Sequence, residues 1–146
     1  NRQTGSESGI VTRFNSRAIV YVNALEIELC IVNLLRNASE ALTKQNIKHP
    51  KITVSIFEDA KRAELRICDN GNLSEEKLSL FNEPTQSDKS SGLGLGLQIV
   101  RGIVENHGGK ISFSRNNVGG LSVLITLPLH EANHGKKAAE NAHTNR

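Results

Sequence analysis

Asn-Leu-Leu-Arg-Asn-Ala-Ser-Glu-Ala, residues 33–41, lies in the longest amphipathic stretch of the chain. From Leu25 to about Thr43, apolar residues recur at Ile27, Ile31, Leu34, Leu35, Ala38 and Leu42, the spacing of one buried helix face. Asn33 and Asn37 stand four apart on a single face, with Glu40 one turn on. Mid-helix asparagine costs about 0.5 kcal/mol relative to alanine, and solvated faces normally carry Lys or Glu instead. Two at this spacing suit a task, although a polar face with incidental hydrogen bonds would look the same. An amide oxygen is a hard, neutral ligand, suited to Mg²⁺ held mostly by water and phosphates.

Outward from this helix the pattern alternates between strands and helices. Ala18–Val22 is a short β-branched run and reads as a strand, with residues 1–16 before it a polar linker or partly ordered edge. Beyond His49-Pro50, Ile52, Val54 and Ile56 alternate with polar residues. So do Ala63, Leu65 and Ile67, and Asp59–Arg62 between them completes a β-hairpin. Residues 70–92 are polar and glycine-edged, with a short helical stretch near Glu75–Leu80, as in a lid over a site. Gly92–Gly96 opens a second amphipathic helix that His107-Gly108-Gly109 ends. A second hairpin joins Ile111–Ser114 to Leu121–Leu127, and residues 130–146 read as a disordered tail. The sum is an α/β two-layer sandwich with helices on one face of a sheet.

Composition narrows the function classes. With 146 residues, one domain with a substantial core is expected, built from Leu, Ile and Val because Trp and Met are absent. A net charge of +3, from 18 basic and 15 acidic residues, does not suggest nucleic acid. Cys30 and Cys68 sit in apolar segments and read as buried free thiols of a reducing compartment. No apolar run is long enough to cross a bilayer, so a cytoplasmic domain is expected, with membrane attachment left to a longer parent.

Two further features carry chemistry. Asp69 follows Ala63, Leu65 and Ile67 in period two, which turns its carboxylate inward. There it would accept a hydrogen bond from an exocyclic amine such as that of adenine; the plainer reading is a turn aspartate before Asn70-Gly71. Gly92-Leu-Gly94-Leu-Gly96-Leu97 places glycines at a helix start, where backbone amides and the helix dipole favour phosphate. No Lys-Ser/Thr follows, as a Walker loop would require, and no strand precedes, as a dinucleotide fingerprint would require. Lys89 stands three residues upstream, as a point charge for a terminal phosphate or a solvated lysine.

Taken in order, residues 33–41, Asp-Asn-Gly (69–71) and Gly-Leu-Gly-Leu-Gly-Leu-Gln-Ile-Val (92–100) resemble the N, G1 and G2 boxes of the sensor histidine kinase catalytic domain. Ile-Val-Glu-Asn-His-Gly-Gly-Lys-Ile (103–111) and Ile-Thr-Leu-Pro-Leu (125–129) resemble its closing helix and strand. The likeness spans about residues 18–129, and Pro84 to Lys89 look like the lid of nitrogen- and dicarboxylate-type sensor kinases. It implies a Bergerat-type ATP-binding fold, a mixed, largely antiparallel sheet of about five strands with about three helices on one face. It implies ATP and Mg²⁺ as ligands, Asn37 on the metal, Asn33 at the phosphates, and Asp69 with Gly71 at the adenine. Gly92, Gly94, Leu95, Gly96 and Leu97 would line the triphosphate. The γ-phosphoryl group would pass to a histidine on a dimerisation domain absent from this chain, and then to a response regulator. The isolated domain would be a monomer. Hydrolysing members of the wider group carry a glutamate where this chain has Asn33, and an amide cannot take a proton from water.

Two positions depart from the pattern: Leu73 replaces the second glycine of the G1 box, and Thr85 replaces the Phe after Pro84. They raise the alternative of a nucleotide-binding pseudokinase or protein-interaction module. A serine kinase of the anti-sigma type shares the fold and is a further rival. His130-Glu-Ala-Asn-His134 fits the H-E-x-x-H zinc pattern, but it lies in a polar tail without an apolar stripe.

Overall fold

The computed structural model describes residues 9–83 and 94–130. The rest of the expected lid, including Pro84, Thr85, Lys89 and Gly92, lies outside the described residues, as do residues 1–8 and the tail from Glu131. Five strands form one sheet in the order β1-β2-β3-β5-β4: β1 (Gly9–Phe14), β2 (Lys51–Glu58), β3 (Arg62–Asp69), β4 (Lys110–Arg115) and β5 (Leu121–Pro128). Only β1 and β2 are parallel; the other three pairings are antiparallel. Three helices pack against the sheet: α1 (Ala24–Lys44), α2 (Glu75–Asn82) and α3 (Gly94–Asn106). The expected mixed two-layer sandwich is present.

Period two on the strands and 3.6 on the helices meet in one core. Ile52 and Val54 of β2, Ile67 of β3, and Val123, Ile125 and Leu127 of β5 are buried from the sheet. Cys30, Leu34, Ala38 and Leu42 of α1 and Leu97, Val100 and Val104 of α3 are buried from the helices. Cys30 sits at the contact of the two helices, its sulfur 4.0 Å from the Val100 carbonyl. Burial, with a smaller contribution from Glu26, pushes its thiol pKa up, so it stays protonated and unreactive at neutral pH. Both cysteines are free.

Helix ends are set by named contacts. Asn23 caps α1, its side chain accepting from Glu26 N–H at 3.2 Å. Asn46, at φ 52, closes the other end, with Ile47 N–H on the Leu42 carbonyl at 3.2 Å, a left-handed stop made by asparagine. Gly108, at φ 72, makes the corresponding stop after α3. There His107 Nδ1 lies 2.7 Å from the Ile103 carbonyl and so carries the proton, which leaves Nε2 to accept Asn23 N–H at 3.0 Å. The end of α3 is thereby tied to the start of α1.

Two expectations need correction. The run Ala18–Val22 is not a strand, and Gly9–Phe14, read as linker, is the edge strand. A β-branched run signals an extended, half-buried segment without saying which partner it meets. Ile10–Phe14 runs alongside Ile52–Ile56, whereas residues 18–22 must cross to the start of α1 and pack Val20 and Val22 on the core. Their tie to the sheet end is His130 N–H on the Ile19 carbonyl at 2.8 Å, with the Tyr21 and His130 rings 4.5 Å apart. His130, expected in the tail, therefore belongs to the folded body.

Ile125 is 3% exposed and is flanked by Leu65 and Ile111 on the neighbouring strands. Ile125→Ala is expected to lower unfolding stability by about 2–5 kcal/mol in urea titration.

Candidate functional site

Asp69 ends β3 on the helix-facing side, and it is 8% exposed. A carboxylate so placed needs donors. Its Oδ1 accepts Gly71 N–H at 2.9 Å and Leu121 N–H at 3.2 Å. Its main-chain oxygen accepts from the Asn116 side chain at 2.7 Å. A side chain on Gly71 would meet Gln45 Oε1 at 2.8 Å and Asp69 Oδ1 at 3.1 Å, so the chain passes there only without a Cβ.

The carboxylate faces a cavity of about 490 Å³ between α1, α2 and the ends of β3 and β5, a size that holds a small organic ligand. Its walls mix apolar side chains (Leu34, Ile67, Leu97, Phe113) with Asn37, Glu40 and Lys44 of α1 and Lys77 of α2. Asn37 is half-buried on this wall, and among the described residues none bonds to its amide. One amide oxygen fits a Mg²⁺ ion that takes its other ligands from water and phosphates. Among the described residues no cluster of three His, Cys, Asp or Glu offers a self-sufficient metal site.

Asn33 behaves differently. Its Nδ2 donates back to the Leu29 carbonyl at 2.8 Å, and its Oδ1 presses on Gly96, where a Cβ would come within 2.8 Å. It does not line the cavity; it sets the approach of α1 to the first turn of α3. That turn begins at Gly94 and includes Leu95 and Gly96, and its amides, which have no partner within the helix, form the positive end.

Of the residues singled out in the sequence, Asn37, Asp69 and Leu97 thus meet at one cavity, with Gly71 beside Asp69 and Gly96 beside Asn33. Sequence reasoning missed Gln45 and Asn116. Gln45 follows the end of α1 and holds the main chain of Asn72 from both sides: Nε2 donates to its carbonyl at 3.2 Å and Oε1 accepts its N–H at 2.7 Å. Nothing in its sequence neighbourhood signals a partner 27 residues on.

A family model described as histidine kinase-, DNA gyrase B- and HSP90-like ATPase matches residues 22–131. The chain belongs to this ATPase family. Sporulation kinase B of Bacillus subtilis is 32% identical over 113 residues, which cover 75% of this chain and 25% of that protein. The C4-dicarboxylate transport sensor protein DctS of Rhodobacter capsulatus is 32% identical over 111 residues, covering 75% and 17%. The chain therefore spans a quarter or less of these relatives. The nucleotide-free catalytic domain of histidine kinase ThkA superposes with a TM-score of 0.67 at 25% identity, covering 84% of this chain and 80% of that one. The histidine kinase domain of the E. coli osmosensor EnvZ does so at 0.62 and 30%, covering 86% and 78%. The fold and relatives are those of the ATP-binding catalytic domain of sensor histidine kinases, and they lend no support to the pseudokinase alternative.

Because Gln45, at the end of α1, holds both the N–H and the carbonyl of Asn72, Gln45→Ala is expected to speed hydrogen exchange at Asn72 N–H. The accompanying loss of global stability should be about 1 kcal/mol in urea titration.

Proposed function

We propose that this domain binds Mg-ATP in the Asp69 cavity and donates the γ-phosphoryl group to a histidine on a dimerisation domain of a longer parent kinase. A response regulator would then receive the phosphate. The observation that carries the reading is the buried Asp69 carboxylate, aimed into the same cavity whose wall holds Asn37.

Each residue has a role its chemistry permits. Asp69 accepts the exocyclic amine of adenine, and Gly71, its N–H on the same carboxylate, lies beside the ring. Leu34, Ile67 and Leu97 supply apolar walls. Asn37 gives its amide oxygen to Mg²⁺. The first turn of α3, from Gly94 through Leu97, presents amides to phosphate oxygens, with Gly92 and Lys89 completing that side. Bound Mg²⁺ would neutralise phosphate charge as the phosphoryl group transfers. Asn33 holds α1 against that turn and offers no base for water, so ATP is kept for a supplied nucleophile. The unit acts as a cytoplasmic monomer whose folded body runs from the edge strand to His130, with dimerisation and any membrane anchor in the parent.

Calorimetric titration tests the site. Wild type is expected to bind ATP with an affinity that falls when Mg²⁺ is removed. Asp69→Asn should weaken binding by about 10–100-fold, since a donor then faces the adenine amine. Asn37→Ala should abolish most of the magnesium dependence. Absence of binding by the wild type would defeat the reading. Gly96→Ala separates the site from the fold. Alanine favours the helix by about 1 kcal/mol, yet its Cβ displaces Asn33, so stability should hold while ATP affinity drops.

A further inference from the structure

The turn between β4 and β5 lies against the end of β3, and one side chain in it is fully engaged. Asn116 Nδ2 donates to the Asp69 carbonyl at 2.7 Å and to the Leu121 carbonyl at 3.2 Å. Its Oδ1 accepts Gly120 N–H at 3.0 Å and Val118 N–H at 3.1 Å. The main chain closes the same turn, with Asn116 N–H on the Gly120 carbonyl at 2.9 Å.

The β3–β5 register ends at Cys68 opposite Ser122, so the next position sets Leu121 opposite Asp69. Two side chains do the pairing there. Asn116 occupies the Asp69 carbonyl, and Leu121 N–H goes to the Asp69 carboxylate instead. Gly120 makes the approach possible: a Cβ on it would stand 2.2 Å from the Asp69 carbonyl oxygen and 2.5 Å from Oδ1. We infer that Asn116 is a positioning residue for base recognition, because its hold on the Asp69 carbonyl commits Leu121 N–H to the carboxylate and so fixes the direction in which Asp69 meets the base. This rests on the nucleotide reading above. Asn116 touches no ligand itself and acts through Asp69.

Without the Nδ2 donor, the freed carbonyl competes for Leu121 N–H, and the carboxylate keeps one amide, that of Gly71. A wandering carboxylate costs affinity only where the ligand offers it a donor. ATP does so through its exocyclic amine, and inosine triphosphate, with a carbonyl at that place, does not.

The experiment compares binding of ATP and inosine triphosphate, with magnesium, to wild type, Asn116→Ala and Asn116→Asp. The aspartate keeps both acceptor bonds to the turn and loses the donor. ATP affinity is expected to fall about tenfold in both variants, inosine triphosphate affinity to stay within about twofold, and the discrimination between them to collapse. Equal losses for both nucleotides would make Asn116 a merely structural residue and overturn the inference, as would unchanged discrimination in folded variants. Should the variants not fold, the wild type answers by NMR: the Asn116 side-chain amide signals should shift with ATP and not with inorganic triphosphate. Their indifference while Gly71 and Leu121 amides respond to ATP would overturn the inference. A wild type that binds neither nucleotide overturns the nucleotide reading and this one together, whereas binding with unaltered variants overturns this one alone.

Discussion

A carboxylate can be placed under a helical layer only where the chain brings donors to it. Asp69 is that carboxylate, and much of the local architecture follows from holding it. Gly71 turns back so that its N–H reaches Oδ1, and β5 begins with Leu121 because that amide is needed at the same oxygen. Gly120 and Asn116 follow from the close approach of the second hairpin, and Gln45 from the need to hold Asn72 as the chain leaves the site. The hydrophobic core places β3 under α1. These polar contacts hold the end of β3 as a fixed wall of the cavity.

What the sequence makes legible are features with a local period. The faces of α1 and α3, the alternation on β2, β3 and β5, and the glycine stop after α3 were readable because each depends on residues within a few positions. Asn37, Asp69 and Leu97 were readable as a set because the order of their motifs resembles a known family. Features decided by distant partners were not. Gly9–Phe14 becomes a strand because β2 offers it an edge, while the more β-branched Ala18–Val22 is spent on a crossing. The turn from Asn116 to Gly120 reads in the sequence only as a hairpin connection, and its neighbour in space, 47 residues earlier in the chain, gives Asn116 a further task.

The described part of the expected lid, 70–83, is a fixed wall for the same reason. Arg115 binds the Leu73 carbonyl and pairs with Glu75 at 2.6 Å, fastening the start of α2 to β4. Arg101 binds the Phe81 carbonyl and lies 5.0 Å over the Phe113 ring, which stacks on Phe81 at 5.1 Å. Polar composition suggested a lid in this stretch, yet two arginines from distant elements and one aromatic pair hold it down.

The same anchors bear on Leu73, the position where the family pattern has glycine. A glycine is required where φ is positive or where another group leaves no room for a Cβ. Asn46 is the only non-glycine residue at positive φ among the described residues, so Leu73 lies in an ordinary conformation. Its N–H reaches the Gly119 carbonyl at 2.9 Å, its carbonyl is held by Arg115, and its side chain packs against the core cluster. The leucine thus exchanges the freedom of glycine for a pinned main chain and an apolar contribution to the cavity wall. The departure from the pattern is a local solution to fastening the start of α2, and it leaves the carboxylate of Asp69 and the amide of Asn37 facing the same space.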